Sequence, residues 1–395
     1  MKTVAEPLPL DYTVETRILR HGYDRRTCWV QSRCGTMPGG RAVLTTQKLR
    51  LSGSDIFSGI HSMHSDDFGS TWSEPVAQPG LARRANPDGT EDCPCDATPA
   101  WHARSGRLLL TGHLARYRDD ELVPGIRPRA SFYSVYDDVA RRWSDWQPLR
   151  LPDGDPAAYN AGAGCGQRLD LPDGGILLPF YYMPRGDQSG CFRVSVARCG
   201  FDGASLTFLR RGPDLECPEP RGFCEPSLTR LGGRLFLTLR NDVRGYVTTS
   251  DDGLVYGPPR PWTFDDGAEI GNYNTQQHWV THREALFLVY TRRGAGNDHV
   301  FRHRAPLFMA QVDPERLCLI RATERRVVPE RGARLGNFGV CTASPAESWV
   351  VVSEWMQTTG PDNHDCTVCE RYGSDNAFFL SRIRWTRPGG AGGEY

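Results

Sequence analysis

The chain has 395 residues, 39% of them apolar and 24% charged, enough to bury one large core or several small ones. Lysine plus arginine and aspartate plus glutamate stand at 47 each, so no overall field draws nucleic acid or an acidic membrane surface, and an anionic ligand must be met by local arginines. No apolar run reaches the roughly 18 residues of a membrane span. Met1 to Tyr12 lacks an apolar core of signal-peptide length, and the expectation is a cytoplasmic protein unless a leader has been removed. Thirteen cysteines, an odd number spread over a long chain, fit reduced thiols better than a disulfide framework. Forty-two glycines and 29 prolines scattered along the whole length favour many short strands and turns, and the reading is all-β.

In chain order, β-branched and apolar runs group into six units of roughly 50 residues. The first holds Thr27 to Val30, Ala42 to Leu49 and Ile56 to Met63, and ends at Ser65-Asp-Asp-Phe-Gly-Ser-Thr-Trp72. That last stretch reads as a hairpin turn. Its Asp and Ser side chains can bond backbone N–H groups two residues on, Gly69 supplies a positive φ, and Trp72 anchors the next strand. The second unit holds Thr98 to Trp101, Arg107 to Ala115 and Ser131 to Tyr136, with a partial copy of the turn from Asp137 to Trp143. The third has Gly166 to Leu171, Gly175 to Tyr182 and Phe192 to Cys199, turning at Asp202-Gly203. The fourth runs Ser227 to Leu231, Arg234 to Arg240 and Tyr246 to Thr249, turning at Ser250-Asp-Asp-Gly253. The fifth has His278 to His282, Ala285 to Tyr290 and Leu307 to Val312. The sixth begins near Gly339, continues through Trp349 to Glu354 and Ala377 to Trp385, and closes with an N-terminal strand near Glu15 to Leu19. One domain spans residues 1–387, and the Gly-rich segment 388–395 reads as a disordered tail.

The 65–72 stretch resembles the Asp box of the sialidase (neuraminidase) superfamily, Ser-x-Asp-x-Gly-x-Thr-Trp, and fits every defined position of it. The resemblance implies a six-bladed β-propeller of four-stranded antiparallel blades, whose inner strands face a central funnel. Other segments resemble the family one at a time. These are Asp96-Ala-Thr-Pro99 with Ser105-Gly-Arg-Leu108, Gly164 to Pro179, and Glu225 with Leu231-Gly-Gly-Arg-Leu235 and Arg240-Asn241. The last resembles the segment carrying the active-site glutamate and the second arginine of a carboxylate-binding triad. By the same resemblance Arg33, ahead of Met37-Pro38, is placed as the first triad arginine and Arg304 as the third, with Arg292, Arg293 and Arg302 as competitors and Arg293 kept as a further binding residue. A planar guanidinium grips a carboxylate through two parallel bonds, a fork that lysine cannot copy.

The chain departs from the family where its nucleophilic tyrosine belongs, for Gly336-Asn-Phe-Gly-Val340 carries a phenyl ring with no hydroxyl to attack. Tyr290, Tyr273 and Tyr182 are the alternatives, and Tyr290 is preferred. Asp55 is placed as the acid, with Asp92 and Asp96 as alternatives; such a group needs its pKa raised by burial. His278 and His299 suggest a second mechanism, a β-eliminating lyase on uronates, in which a histidine, a tyrosine and an arginine act on the proton beside a carboxylate. His102 and His113 flank a turn of the second unit. A non-catalytic glycan-binding propeller is the third reading. Cys93-x-Cys95 and His364-x-Cys366-x-x-Cys369 have zinc-type ligands but incomplete spacing, so no metal and no cofactor is assigned. The expected function is thus an exo-glycosidase on a terminal acidic sugar, its partner a carboxylate-bearing carbohydrate rather than nucleic acid or membrane; the oligomeric state is not legible.

Overall fold

The computed structural model describes residues 10–53, 55–358 and 365–388. Almost everything in it is strand or turn, with one short α-helix at Thr367–Arg371 among the described residues. No described helix is long and apolar enough to cross a membrane. The expected disordered tail beyond residue 388 and the histidine of the His364 motif lie outside the described residues.

Among the described residues the strands pair into six antiparallel sheets. Counted outward from the axis, their first strands are Thr27–Met37, Glu91–His102, Ala161–Gly162, Cys224–Leu231, His278–His282 and Gly339–Ser344. The first strands of the first, second, fourth, fifth and sixth sheets touch one another around a common axis, and the later strands lie progressively outward. The sixth sheet takes its outermost strand from the other end of the chain, where Tyr12–Arg20 pairs antiparallel with Phe378–Trp385.

Apolar clusters occupy the gaps between neighbouring sheets, not the interior of any one of them. Leu177, Val194 and Val196 of the third sheet pack on Phe223, Leu228 and Leu237 beside or in the fourth. Trp279 and Leu288 of the fifth pack on Phe236, Val247 and Trp262 beside or in the fourth. The ring closes where Leu44 and Met63 of the first sheet meet Trp349, Val351 and Leu380 of the sixth. Each sheet is therefore buried on two faces, which explains why strands such as Gly175–Tyr182 are buried at every position.

The outer turns share one device. The Asp67 side chain accepts the backbone N–H of Thr71 at 2.8 Å and the Thr71 hydroxyl at 2.6 Å, and the Ser65 hydroxyl accepts the N–H of Gly69 at 2.9 Å. Gly69 has φ +72°, and a Cβ there would sit 2.8 Å from the Trp349 ring, so the position admits no side chain. Phe68 and Trp72 meet that same ring edge-on at 5.5 and 6.4 Å between centroids, contacts worth about 0.5–1.5 kcal/mol each beyond their buried area. Asp137, Asp202, Asp252 and Asp313 accept a backbone N–H three residues on, at 2.9, 2.7, 2.8 and 2.9 Å, each at the end of the third strand of its own sheet.

The inner strands run longer than their apolar pattern predicts. Thr27–Met37 and Glu91–His102 extend well past the expected Thr27 to Val30 and Thr98 to Trp101, because each carries a β-bulge that breaks the alternation.

Candidate functional site

Three inner strands are bulged at matching depth. The ladder shifts register between Val30 and Arg33, between Cys95 and Thr98, and between Cys224 and Ser227. In each bulge one non-glycine residue takes a left-handed backbone: Gln31 at φ 61°, Asp96 at 53° and Glu225 at 45°. That conformation is uncommon for residues with a Cβ and marks strain held by its surroundings. Its effect is to turn three polar side chains toward the axis, where all three line one cavity of about 290 Å³.

Seven guanidinium groups face this cavity, from Arg127, Arg129, Arg221, Arg240, Arg302, Arg304 and Arg334, against the carboxyl groups of Asp55, Asp96 and Glu225. Arg240 bonds Glu225 through one nitrogen, and through the other reaches the side-chain oxygen of Asn274 at 3.0 Å. Arg304 bonds that same oxygen at 3.0 Å and the Asn274 carbonyl through Nε at 3.0 Å. Asn274, itself left-handed at φ 55°, thus fixes the two arginines relative to each other. Arg334 lies 4.1 Å from the Trp355 ring centre and donates to Gln357 at 3.0 Å. Burial first, and then the crowd of like charges, pushes Arg304 well below the usual guanidinium range; burial brings Arg334 down to about 10. Such a wall is relieved by an anion.

The carboxyl groups differ from one another. Burial alone would raise Glu225, but the Arg240 charge and hydrogen bond outweigh it and hold the carboxyl at about 2, so it is ionised. Asp96 moves the other way: burial raises it, Arg33 only partly opposes, and the charges of Glu225 and Asp55 add to the rise. Its oxygens meet His113 Nε2 at 3.3 Å and the Cys165 thiol at 2.8 Å. Burial keeps the His113 imidazole neutral, well below its ordinary pKa. The His113 ring meets Tyr181 edge-on at 6.1 Å, and Tyr181, which also lines the cavity, carries the Arg129 guanidinium 4.2 Å over its face. Cys95, Asp96 and His113 bring possible metal-ligand atoms within 4.8 Å of one another. Asp96 is already engaged by His113 and Cys165, with Arg33 Nη2 4.0 Å away, so this is a poor cradle for a cation.

Of the residues expected from sequence, Glu225, Arg240, Arg304 and Asp55 are brought together on this wall. Arg33 is not part of it. It is fully buried one layer behind, donating to Gln31 at 2.8 Å, Gln276 at 3.0 Å and the Cys165 sulfur at 3.3 Å. The bulge turns Gln31 into the cavity wall and leaves Arg33 behind it. His278 is buried beneath Phe338 with its Nδ1 2.7 Å from the Ser227 hydroxyl, and burial lowers it to about 3. His299 pairs with Glu330 at 2.8 Å and stacks on Tyr372 away from the cavity.

None of the three expected tyrosines lines the cavity either. Tyr290 donates to Glu324 at 2.5 Å, Tyr182 to Asp214 at 2.5 Å, and Tyr273 meets His303 at 2.6 Å. Arg293 is half exposed near Glu269, Arg292 serves Glu324, and Asp92 is forked by Arg116 at 2.7 and 2.8 Å. The competitor Arg302 and the alternative acid Asp96 do face the cavity, as does His113. Arg334 and Tyr181 carried no sequence signal beyond their closeness to segments already singled out. The cysteines are buried except for Cys191 and Cys341, which are half-buried.

No family model matches the sequence, and no curated protein matches it. Solved structures do. A protein of unknown function from Dyadobacter fermentans aligns over 94% of this chain and 99% of its own, at 16% identity and TM-score 0.59. Trypanosoma rangeli sialidase aligns over 95% of this chain at 13% identity and TM-score 0.59, this chain spanning 60% of its length. The Hadza microbial sialidase Hz136 aligns over 93% of this chain and 68% of its own, at 12% identity and TM-score 0.60. With its ring of small antiparallel sheets, the chain has the fold of a sialidase-like β-propeller.

Proposed function

We propose that this chain is a glycoside hydrolase releasing a terminal acidic sugar from a glycan, with the sugar carboxylate received by Arg240, Arg304 and Arg334. The observation that carries the reading is the Asn274 bridge, which presets two guanidinium groups beside a carboxylate pair in one cavity. A preset pair loses little rotamer freedom when it grips a carboxylate. One sialidase of this fold has been solved in complex with sialic acid. In the proposed reaction Asp96, whose raised pKa suits it to hold a proton, protonates the leaving oxygen as the glycosidic bond breaks; water then bonds the ring carbon and gives its proton to the Asp96 carboxylate. Glu225, already ionised, steadies positive charge building on the ring, and the Tyr181 hydroxyl, pushed up by burial, acts as a neutral donor.

Elimination is the second reading, favoured by one observation: a neutral His113, Tyr181 and Arg129 line the same cavity. A panel of terminal sialic acid and uronic acid glycosides separates the two. Hydrolysis releases a saturated acidic sugar, whereas elimination leaves an unsaturated uronate with new ultraviolet absorbance. Glu225→Gln is expected to lower hydrolysis at least a thousandfold with binding retained. Unchanged turnover in that variant sinks the hydrolase reading, and tight binding with no product by either route makes the chain a glycan-binding module.

A further inference from the structure

The cavity holds more positive charge than one carboxylate explains. Asp55, Asp96 and Glu225 set three negative charges at most against seven guanidinium groups, and His113 is neutral. A single substrate carboxylate between Arg240, Arg304 and Arg334 still leaves Arg127 and Arg129 without a counter-charge. Neither has a carboxylate within ion-pair distance among the described residues. Arg127 donates instead to the Val123 carbonyl at 2.8 Å, and Arg129 to the Asn160 side chain and the Tyr181 carbonyl, both at 3.1 Å.

These two arginines, with Phe192, also line a second cavity of about 620 Å³ next to the first. Its remaining wall comes from Gly125, Ile126, Asn160, Met183 and the 186–190 loop. Asn160 sets the geometry there, accepting from the Arg129 side chain while donating to the Arg127 carbonyl at 2.7 Å. The one acidic side chain in this wall, Asp187, faces Arg193 at 3.5 Å and accepts the Ser189 N–H at 2.7 Å, so its charge is already met.

Resting on the acidic-sugar reading, we infer that the second cavity holds the next sugar of the chain and that this sugar bears its own anionic group, seated on Arg127 and Arg129. The ligand is then an acidic glycan with charge on two successive residues. Burial and the Arg129 charge make the Arg127 cation costly in the empty site, so a bound anion gains more there than at an exposed arginine.

Calorimetric titration tests this with three ligands in each of two series: N-acetylneuraminic acid, sialyllactose and disialic acid, and glucuronic acid, glucuronosyl-xylose and a glucuronic acid dimer. The dimer of one series is expected to bind at least tenfold tighter than its counterpart with a neutral second sugar. Arg127→Gln and Arg127→Ala should each remove that advantage while leaving monosaccharide affinity within about twofold. A dimer no tighter than its neutral-second-sugar counterpart overturns the inference and leaves the acidic-sugar reading intact. The inference is equally overturned if both variants, folded by melting curve, keep the dimer advantage or weaken all ligands alike. Absence of binding by all six overturns the acidic-sugar reading and this inference together.

Discussion

Carboxylates do opposite work at the two radii of this molecule. At the outer turns Asp67, Asp137, Asp202, Asp252 and Asp313 each accept neighbouring backbone N–H groups, stand near solvent and recur once in each of the first five sheets. At the axis Asp96 and Glu225 sit on left-handed bulges, are buried and occur once each. Hydrogen bonds from Thr71, before any other cause, hold Asp67 at about 2, whereas burial raises Asp96. In a radial fold, repetition thus records what holds the sheets together, and its interruption records where the chain has been turned to another use.

The comparison breaks if axial changes behave like turn changes. The largest effect is expected from Arg240→Ala, which leaves the Glu225 charge buried without its partner; the loss is about 3–5 kcal/mol in urea unfolding. Acid should bring the same loss to the native chain. The Glu225 carboxyl is depressed to about 2 from an ordinary 4.5, so its contribution is full above the ordinary value and is lost as pH falls toward 2. Glu225→Gln should flatten this acid-limb loss, and an unaltered limb would show that the pair is not its source.

Asp96→Asn sharpens the contrast with a change of opposite sign. A carboxyl raised in the folded state costs stability when ionised, so the amide should raise the melting temperature at pH 7 while removing turnover. A lowered melting temperature would show that its contacts with His113 and Cys165 outweigh its burial. The smallest effect is expected from Asp252→Ala, which loses two N–H contacts in the turn following the third strand of the fourth sheet. Melting should drop slightly, with kinetics unchanged.

The outer architecture was legible because its chemistry is local. A serine, an aspartate and a glycine within five residues define the 65–69 and 250–253 turns, and the strands between turns alternate or run apolar. Asp313 escaped notice because Leu317, not glycine, takes the left-handed position beyond it, at φ 56°. The site was legible only in part. Glu225, Arg240 and Arg304 were found from segments of known likeness, but a bulge inverts the facing of every residue after it, and Arg33 was therefore misplaced. Tyr181 was missed for its neighbour Tyr182 because Gly175–Tyr182 is buried on both faces, leaving no polar alternation to say which ring looks inward. Arg334 is set by Trp355 and Gln357, partners more than twenty residues away that no local pattern ties to it.

The pairing of Tyr12–Arg20 with Phe378–Trp385 makes the molecule a clasped bracelet. Thr16 and Ser381, 365 positions apart, bond across the clasp at 2.9 Å. The earlier half of that fastening leaves the ribosome 365 positions before the later one, so the ring stays open until both have emerged. Each doubling of such a loop adds only about 0.6 kcal/mol to the cost of closing it, since the entropy grows as the logarithm of length. Delay in arrival, more than energy, is what the clasp imposes.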